Sequence, residues 1–135
     1  MKVIYTTTAA ASAGREGNTA LTDGALSLDL AVPGSGKPGH NPEQLFAMGY
    51  AACFDSAAKI SAKKLGLPLK GSKSSVTVSL VQNGETYRLD VKVDLGTEGL
   101  SEEQAKTLSD AAHNTCPYSN ALRGNVTVSH SYTVN

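Results

Sequence analysis

Apolar and polar positions keep changing period along this chain, and each change marks an element. The first third has period two. Lys2 to Thr8 is rich in β-branched residues, and Leu26, Leu28 and Leu30 alternate with Ser27 and Asp29, giving one buried face. Strands are predicted over 2–8, 19–22 and 25–32, the last two flanking a hairpin turn at Asp23-Gly24. Between the first two strands, Gly14-Arg15-Glu16-Gly17-Asn18 is a glycine-framed loop carrying a lone arginine, and Pro33 to Gly39 reads as a second loop.

The alternation then gives way to an almost uniformly apolar run, Gln44 to Phe54. Asn41 as cap, Pro42 at the first helical position and Glu43 in the first turn start a helix. It should continue to about Leu65, where Gly66 can take a left-handed cap and Pro68 blocks extension. A first half apolar on all sides predicts a central helix covered by other elements. Period two returns over Ser75 to Val81 and Tyr87 to Leu95, joined through Asn83-Gly84. Ser101-Glu102-Glu103-Gln104 is a capping box opening a second helix, with Ala105, Leu108, Ala111 and Ala112 inward and an end at Cys116-Pro117. A short turn over Ser119 to Arg123 and a final strand from Val126 through Tyr132 complete the chain. Strands and helices are segregated, which predicts an α+β fold with antiparallel sheets.

With 135 residues, the chain reads as a single domain, 1–135, able to bury a core without disulfides. Twelve basic and twelve acidic residues cancel, which argues against nucleic-acid or membrane-surface partners. Met1 to Thr8 has no apolar core of a signal peptide, and no stretch has the length of a membrane span. A cytoplasmic location follows, where structural disulfides are rare.

That setting gives weight to the two cysteines, Cys53 in the apolar helix and Cys116 at a helix exit. Each could be a small core hydrophobe. His113 and Cys116 have the i, i+3 spacing of two zinc ligands, although few residues remain to complete a set. A cysteine hydrolase could draw on His113 or His130 as base. A redox pair needs Cys53 as a thiolate, which burial opposes, so a cation is required. Arg15 is the best candidate because its glycine-framed loop is free to approach another backbone closely. A charge at roughly 4 Å and an effective dielectric near 20 contributes about 4 kcal/mol. Glu43 precedes Cys53 by ten residues, roughly 15 Å along one helix. Two copies of the helix crossing antiparallel near Met48 would set Glu43 of one copy beside Cys53 of the other.

The segments Asn41-Pro-Glu-Gln-Leu-Phe-Ala-Met-Gly-Tyr-Ala-Ala-Cys-Phe54 and Cys116-Pro-Tyr-Ser-Asn-Ala-Leu-Arg-Gly-Asn125 resemble the two signatures of the OsmC/Ohr family. Gly14-Arg15-Glu16-Gly17 resembles its arginine loop, and Tyr-Ser-Asn after Cys116-Pro117 favours the organic hydroperoxide resistance (Ohr) branch over OsmC proper. The chain departs from the pattern at His40, at Met48 and in the short hairpin around Asn83-Gly84.

The resemblance implies antiparallel sheets around a long central helix in an intertwined homodimer. It also implies a thiol peroxidase for organic hydroperoxides, with an OsmC-type peroxidase of broader range as alternative. Cys53 would be the peroxidatic thiol, Cys116 the resolving thiol, Arg15 the activator and Glu43 its orienting partner. Electrons would come from a dithiol or a lipoylated protein, with no bound cofactor or metal. Phe46, Met48 and Tyr118 would line the substrate pocket. Two readings from other classes stand beside it, a hydrophobic-ligand-binding module and a redox sensor.

Overall fold

The computed structural model describes all residues, Met1–Asn135. They form two compact units, Met1–Leu45 and Phe46–Asn135.

In the first unit, β1 (Ala9–Ser12), β2 (Asn18–Leu21) and β3 (Ser27–Asp29) form an antiparallel sheet in that order, with Ala10 opposite Ala20 and Asn18 opposite Asp29. A 3-10 turn, Gly14–Glu16, joins β1 to β2. The chain doubles back so tightly there that a Cβ on Gly17 would lie 1.9 Å from the Ser12 carbonyl oxygen, so only glycine fits. Two expectations need correction. Residues 2–8 form no strand, and Val3, Ile4 and Tyr5 stand exposed. β-branched composition favours extended backbone but does not supply a pairing partner. The third strand covers 27–29 rather than 25–32, because Ala25 belongs to the Asp23 turn, its amide donating to the Asp23 carboxylate at 2.8 Å.

Helix α1 spans Pro42–Leu65, as the end signals predict. Asn41 Oδ1 accepts from the Gln44 amide at 2.9 Å, and Gln44 Oε1 accepts from the Asn41 amide at 3.1 Å, a reciprocal cap. At the far end Gly66 is left-handed (φ 66°), and the Leu67 amide returns to the Ala62 carbonyl at 2.9 Å. The helix is not covered on all sides. Tyr50, Phe54, Ala57, Ala58, Ser61 and Ala62 make one buried stripe, whereas Met48 is 70% exposed.

In the second unit, β4 (Gly71–Asn83) and β5 (Thr86–Glu98) pair antiparallel around a two-residue turn, Gly84–Glu85, with Gly84 at φ 63°. Helix α2 (Glu102–Thr115) opens on the Ser101–Gln104 capping box, and α3 (Pro117–Leu122) is a short helix where a turn was expected. Strand β6 (Val128–Val134) then pairs parallel to β5. The antiparallel expectation therefore holds for β1–β3 and for β4–β5, but not for β6. A parallel neighbour needs a crossover connection, which α2 and α3 provide. Val91, Val93, Leu95 and Thr97 alternate inward from β5 and share the core with Tyr50, Phe54, Leu108 and Ala112.

Candidate active site

Cys116 occupies a joint. It ends α2, its amide donating to the Ala112 carbonyl, and it caps α3, whose first residue is Pro117. Proline at that first position holds Cys116 in an extended conformation (φ −63°, ψ 123°). This turns its side chain out of the α2 helical register. Its fully buried thiol donates toward Cys53 on α1, sulfur to sulfur 3.5 Å, and both thiols are free. Roughly 1.5 Å of approach would close a bond of about 2 Å.

Burial pushes the Cys53 thiol up. The Tyr118 backbone amide opposes this by donating to the sulfur, and Cys116 adds to the upward shift. The surroundings of Cys53 in its own unit therefore hold it as a thiol.

Arg15 and Glu43 lie together in the first unit. Two parallel hydrogen bonds, 2.8 and 2.6 Å, join the guanidinium in the 3-10 turn to the carboxylate in the first turn of α1. The Arg15 side chain is 41% exposed and Glu43 15%. Hydrogen bonding to Arg15 holds the Glu43 carboxyl below the usual glutamate value, and Glu43 raises Arg15 in return. The four expected catalytic residues thus come as two pairs, one in each unit.

Of the three expected pocket residues, Phe46 and Tyr118 meet edge-on at 6.0 Å and both flank Tyr50, at 5.9 and 5.6 Å. Gly49 makes room for this cluster, since a Cβ there would lie 2.9 Å from the Tyr118 hydroxyl. Met48 stands exposed.

Sequence reasoning missed a polar network beside the thiols. The Tyr50 hydroxyl and Ser119 Oγ are 2.6 Å apart, and Ser119 Oγ meets His113 Nδ1 at 3.0 Å. The available signal was spacing, because Tyr50–Cys53 and Cys116–Ser119 are both i, i+3 pairs. His113 stacks on His130 at 4.7 Å, and no three His, Cys, Asp or Glu side chains gather as a metal set. The missed amide of Tyr118 left no signal in side-chain identity.

The family described as OsmC-like protein matches residues 34–131. An organic hydroperoxide resistance protein of Xanthomonas axonopodis pv. citri is 43% identical, over 94% of this chain and 93% of that protein. Among solved structures, an organic hydroperoxide resistance protein from Legionella pneumophila superposes with a TM-score of 0.93 at 44% identity, covering 98% of this chain and 99% of its own. OhrB of Bacillus subtilis gives 0.89 at 38%, covering 97% and 100%. Family match, relatives and fold agree: this chain belongs to the OsmC/Ohr family, in its organic hydroperoxide resistance branch.

Proposed function

We propose that this chain is a thiol-dependent peroxidase that reduces organic hydroperoxides to alcohols. The observation that carries the reading is the pair of free thiols 3.5 Å apart in a chain related to organic hydroperoxide resistance proteins. Cys53 thiolate attacks the distal peroxide oxygen. The O–O bond breaks, the alkoxide takes a proton and leaves as alcohol, and Cys53 becomes a sulfenic acid. Cys116 then attacks the Cys53 sulfur, forming the disulfide and releasing water. Two electrons from a dithiol or a lipoylated protein restore both thiols by exchange.

Arg15 supplies the cation that a buried Cys53 needs, and Glu43 fixes the guanidinium plane. The bidentate geometry of that pair and the upward push on Cys53 support these roles. Phe46 and Tyr118, with Met48, form the apolar wall that selects alkyl over hydrogen peroxide. The working form is a homodimer in which the two units act as one domain, 1–135. The unpaired, exposed run Val3-Ile4-Tyr5 and the exposed Met48 are the apolar surface a second copy would cover. No helix is long and apolar enough to cross a membrane. The cytoplasm, with its reducing thiol pool, is the setting in which a cycling disulfide operates.

The test is turnover of an alkyl hydroperoxide with dihydrolipoamide, set against hydrogen peroxide. Preference for the alkyl substrate and loss of one thiol pair per turnover are expected. Cys53→Ser should abolish activity, and Cys116→Ser should complete one turnover and then over-oxidise. Full activity in Cys53→Ser would overturn the reading.

A further inference from the structure

The two segments that carry the thiols are joined a second time, one helical turn away. Tyr50 precedes Cys53 by three residues on α1, and Ser119 follows Cys116 by three in α3. That spacing keeps each pair on one face. The sulfurs stand 3.5 Å apart and the hydroxyls 2.6 Å. Of the two contacts, only the second is a strong hydrogen bond. Tyr50 and Ser119 are both fully buried, and no buried side-chain polar atom lacks a partner.

Helix α3 depends on this bond for its place. Its six residues are too few for a helix stable by itself, and Ser119 is the only buried one among them. Its buried anchor is therefore a hydroxyl and not an apolar side chain. An apolar contact tolerates sliding, whereas a hydrogen bond fixes distance and direction. The other end is rigid, because Phe46, Phe54 and Tyr118 surround the Tyr50 ring with centroids 5.9, 6.4 and 5.6 Å away. His113 of α2 meets Ser119 Oγ at 3.0 Å through Nδ1. Burial first, then His130 and Arg123, hold that imidazole below its usual value, so it is neutral near pH 7. With its proton on Nε2, Nδ1 accepts from Ser119, and Ser119 in turn accepts from Tyr50.

We propose that Tyr50 and Ser119, oriented by His113, are positioning residues that hold Cys116 within closing distance of Cys53. The inference deepens the peroxidase reading and rests on it for its place in the cycle. A disulfide needs α1 and α3 at one spacing, and the hydroxyl bond needs the same one. While the thiols are reduced, the hydroxyl bond confines the two segments to separations near contact, so less freedom is lost when the S–S bond forms. Reciprocally, closing the disulfide strengthens the hydroxyl bond. Without that bond α3 is free to swing about the extended Cys116 joint (φ −63°, ψ 123°), and the thiols meet less often. A spacer would act with the opposite sign. The 3.5 Å between sulfurs must shrink to about 2 Å, and a bond that resisted this would hinder closure.

The test needs no peroxide. In glutathione buffers of graded ratio, the two protein thiols give two electrons and two protons to glutathione disulfide, which becomes two glutathione molecules. The dithiol and disulfide fractions, read after acid quenching and alkylation, yield the effective concentration of the pair. Ser119→Ala and Tyr50→Phe should each lower it about three- to tenfold, a shift of about 15–30 mV. The double variant should fall no further than the larger single, since both remove one bond. Ser109→Ala is the control, because Ser109 is also buried and bonds a histidine, His130 Nδ1 at 3.2 Å, but lies on α2. It should lose stability to urea yet stay within about twofold of the parent in effective concentration. An unchanged or raised value in Ser119→Ala or Tyr50→Phe overturns the proposal, and so does an equal fall in Ser109→Ala. Should the first two variants fail to fold, the Tyr50 hydroxyl proton of the unaltered protein decides. Its exchange with water should be slower in the disulfide form than in the dithiol form, and equal or faster exchange overturns the proposal. Failure here leaves the peroxidase reading standing. A parent that closes the disulfide but does not turn over alkyl hydroperoxides fails that reading and leaves the positioning role standing.

Discussion

The Arg15–Glu43 pair and the Cys53–Cys116 pair are held by opposite means. The first lies in a unit that buries only Leu30 and Ala31, where every residue of β1 is exposed, and two hydrogen bonds fix its geometry. The second is embedded among Tyr50, Phe54, Leu95 and Leu108, and packing sets its separation. In the proposed mechanism the thiols must come together on demand, and a dense core suits that role because it tolerates little drift. A charge pair needs only complementary forks and can sit on a light scaffold.

Phe54→Ala probes the dense side most severely. Phe54 is fully buried one residue after Cys53, and its truncation should cost about 3–5 kcal/mol in a urea unfolding titration. Leu26→Ala, at a residue 53% exposed, should cost less than about 1 kcal/mol if this chain alone covers it. A Leu26 loss that approaches the Phe54 loss would break the comparison, because a second copy would then be supplying a core to the first unit. Replacing Val3 and Ile4 together by serine tests the same point from the assembly side. Sedimentation should show a shift from dimer toward monomer, and an unchanged mass would remove that segment from the interface.

Arg15→Ala comes next. Because burial pushes the Cys53 thiol up, loss of the proposed cation should raise the thiol by about one unit or more, roughly 1.4 kcal/mol per unit. The pH dependence of Cys53 alkylation measures it. An unchanged midpoint would leave Arg15 a local partner of Glu43 and nothing else.

How much of this was legible depended on whether the information was local. The ends of α1 and the start of α2 were, since Asn41, Pro42, Gly66 and the Ser101–Gln104 box act within a few residues of themselves. The direction of β6 was not, because alternation from Val126 to Tyr132 specifies a strand and is silent on its neighbour. Pro117-Tyr118-Ser119-Asn120 is turn-like in composition, yet Pro117 at the first position opens a helix, so α3 went unread. Cys53 and Cys116 were singled out from context, but a sequence separation of 63 hid the 3.5 Å contact. Ser119 was overlooked because a serine gains meaning only from Tyr50 and His113, which reach it from two other helices.

Glu43→Gln should give the smallest effect, and its pH dependence tests the light scaffold. Hydrogen bonding to Arg15 holds the folded carboxyl below the unfolded glutamate value, with partial burial working against it. The unfolded chain therefore binds the proton more readily. The contribution is fully present above the unfolded value, about 4.3, and is lost as pH falls through the lower, folded one. With Arg15 41% exposed, solvent screening limits it to less than about 1 kcal/mol, and salt should shrink it further. The stability gap between the parent and Glu43→Gln should thus be small at pH 7 and narrow in acid. A gap above about 2 kcal/mol that salt does not reduce would mean the pair is shielded from water in the assembled protein, and the contrast with the buried thiols would then belong to the isolated chain alone.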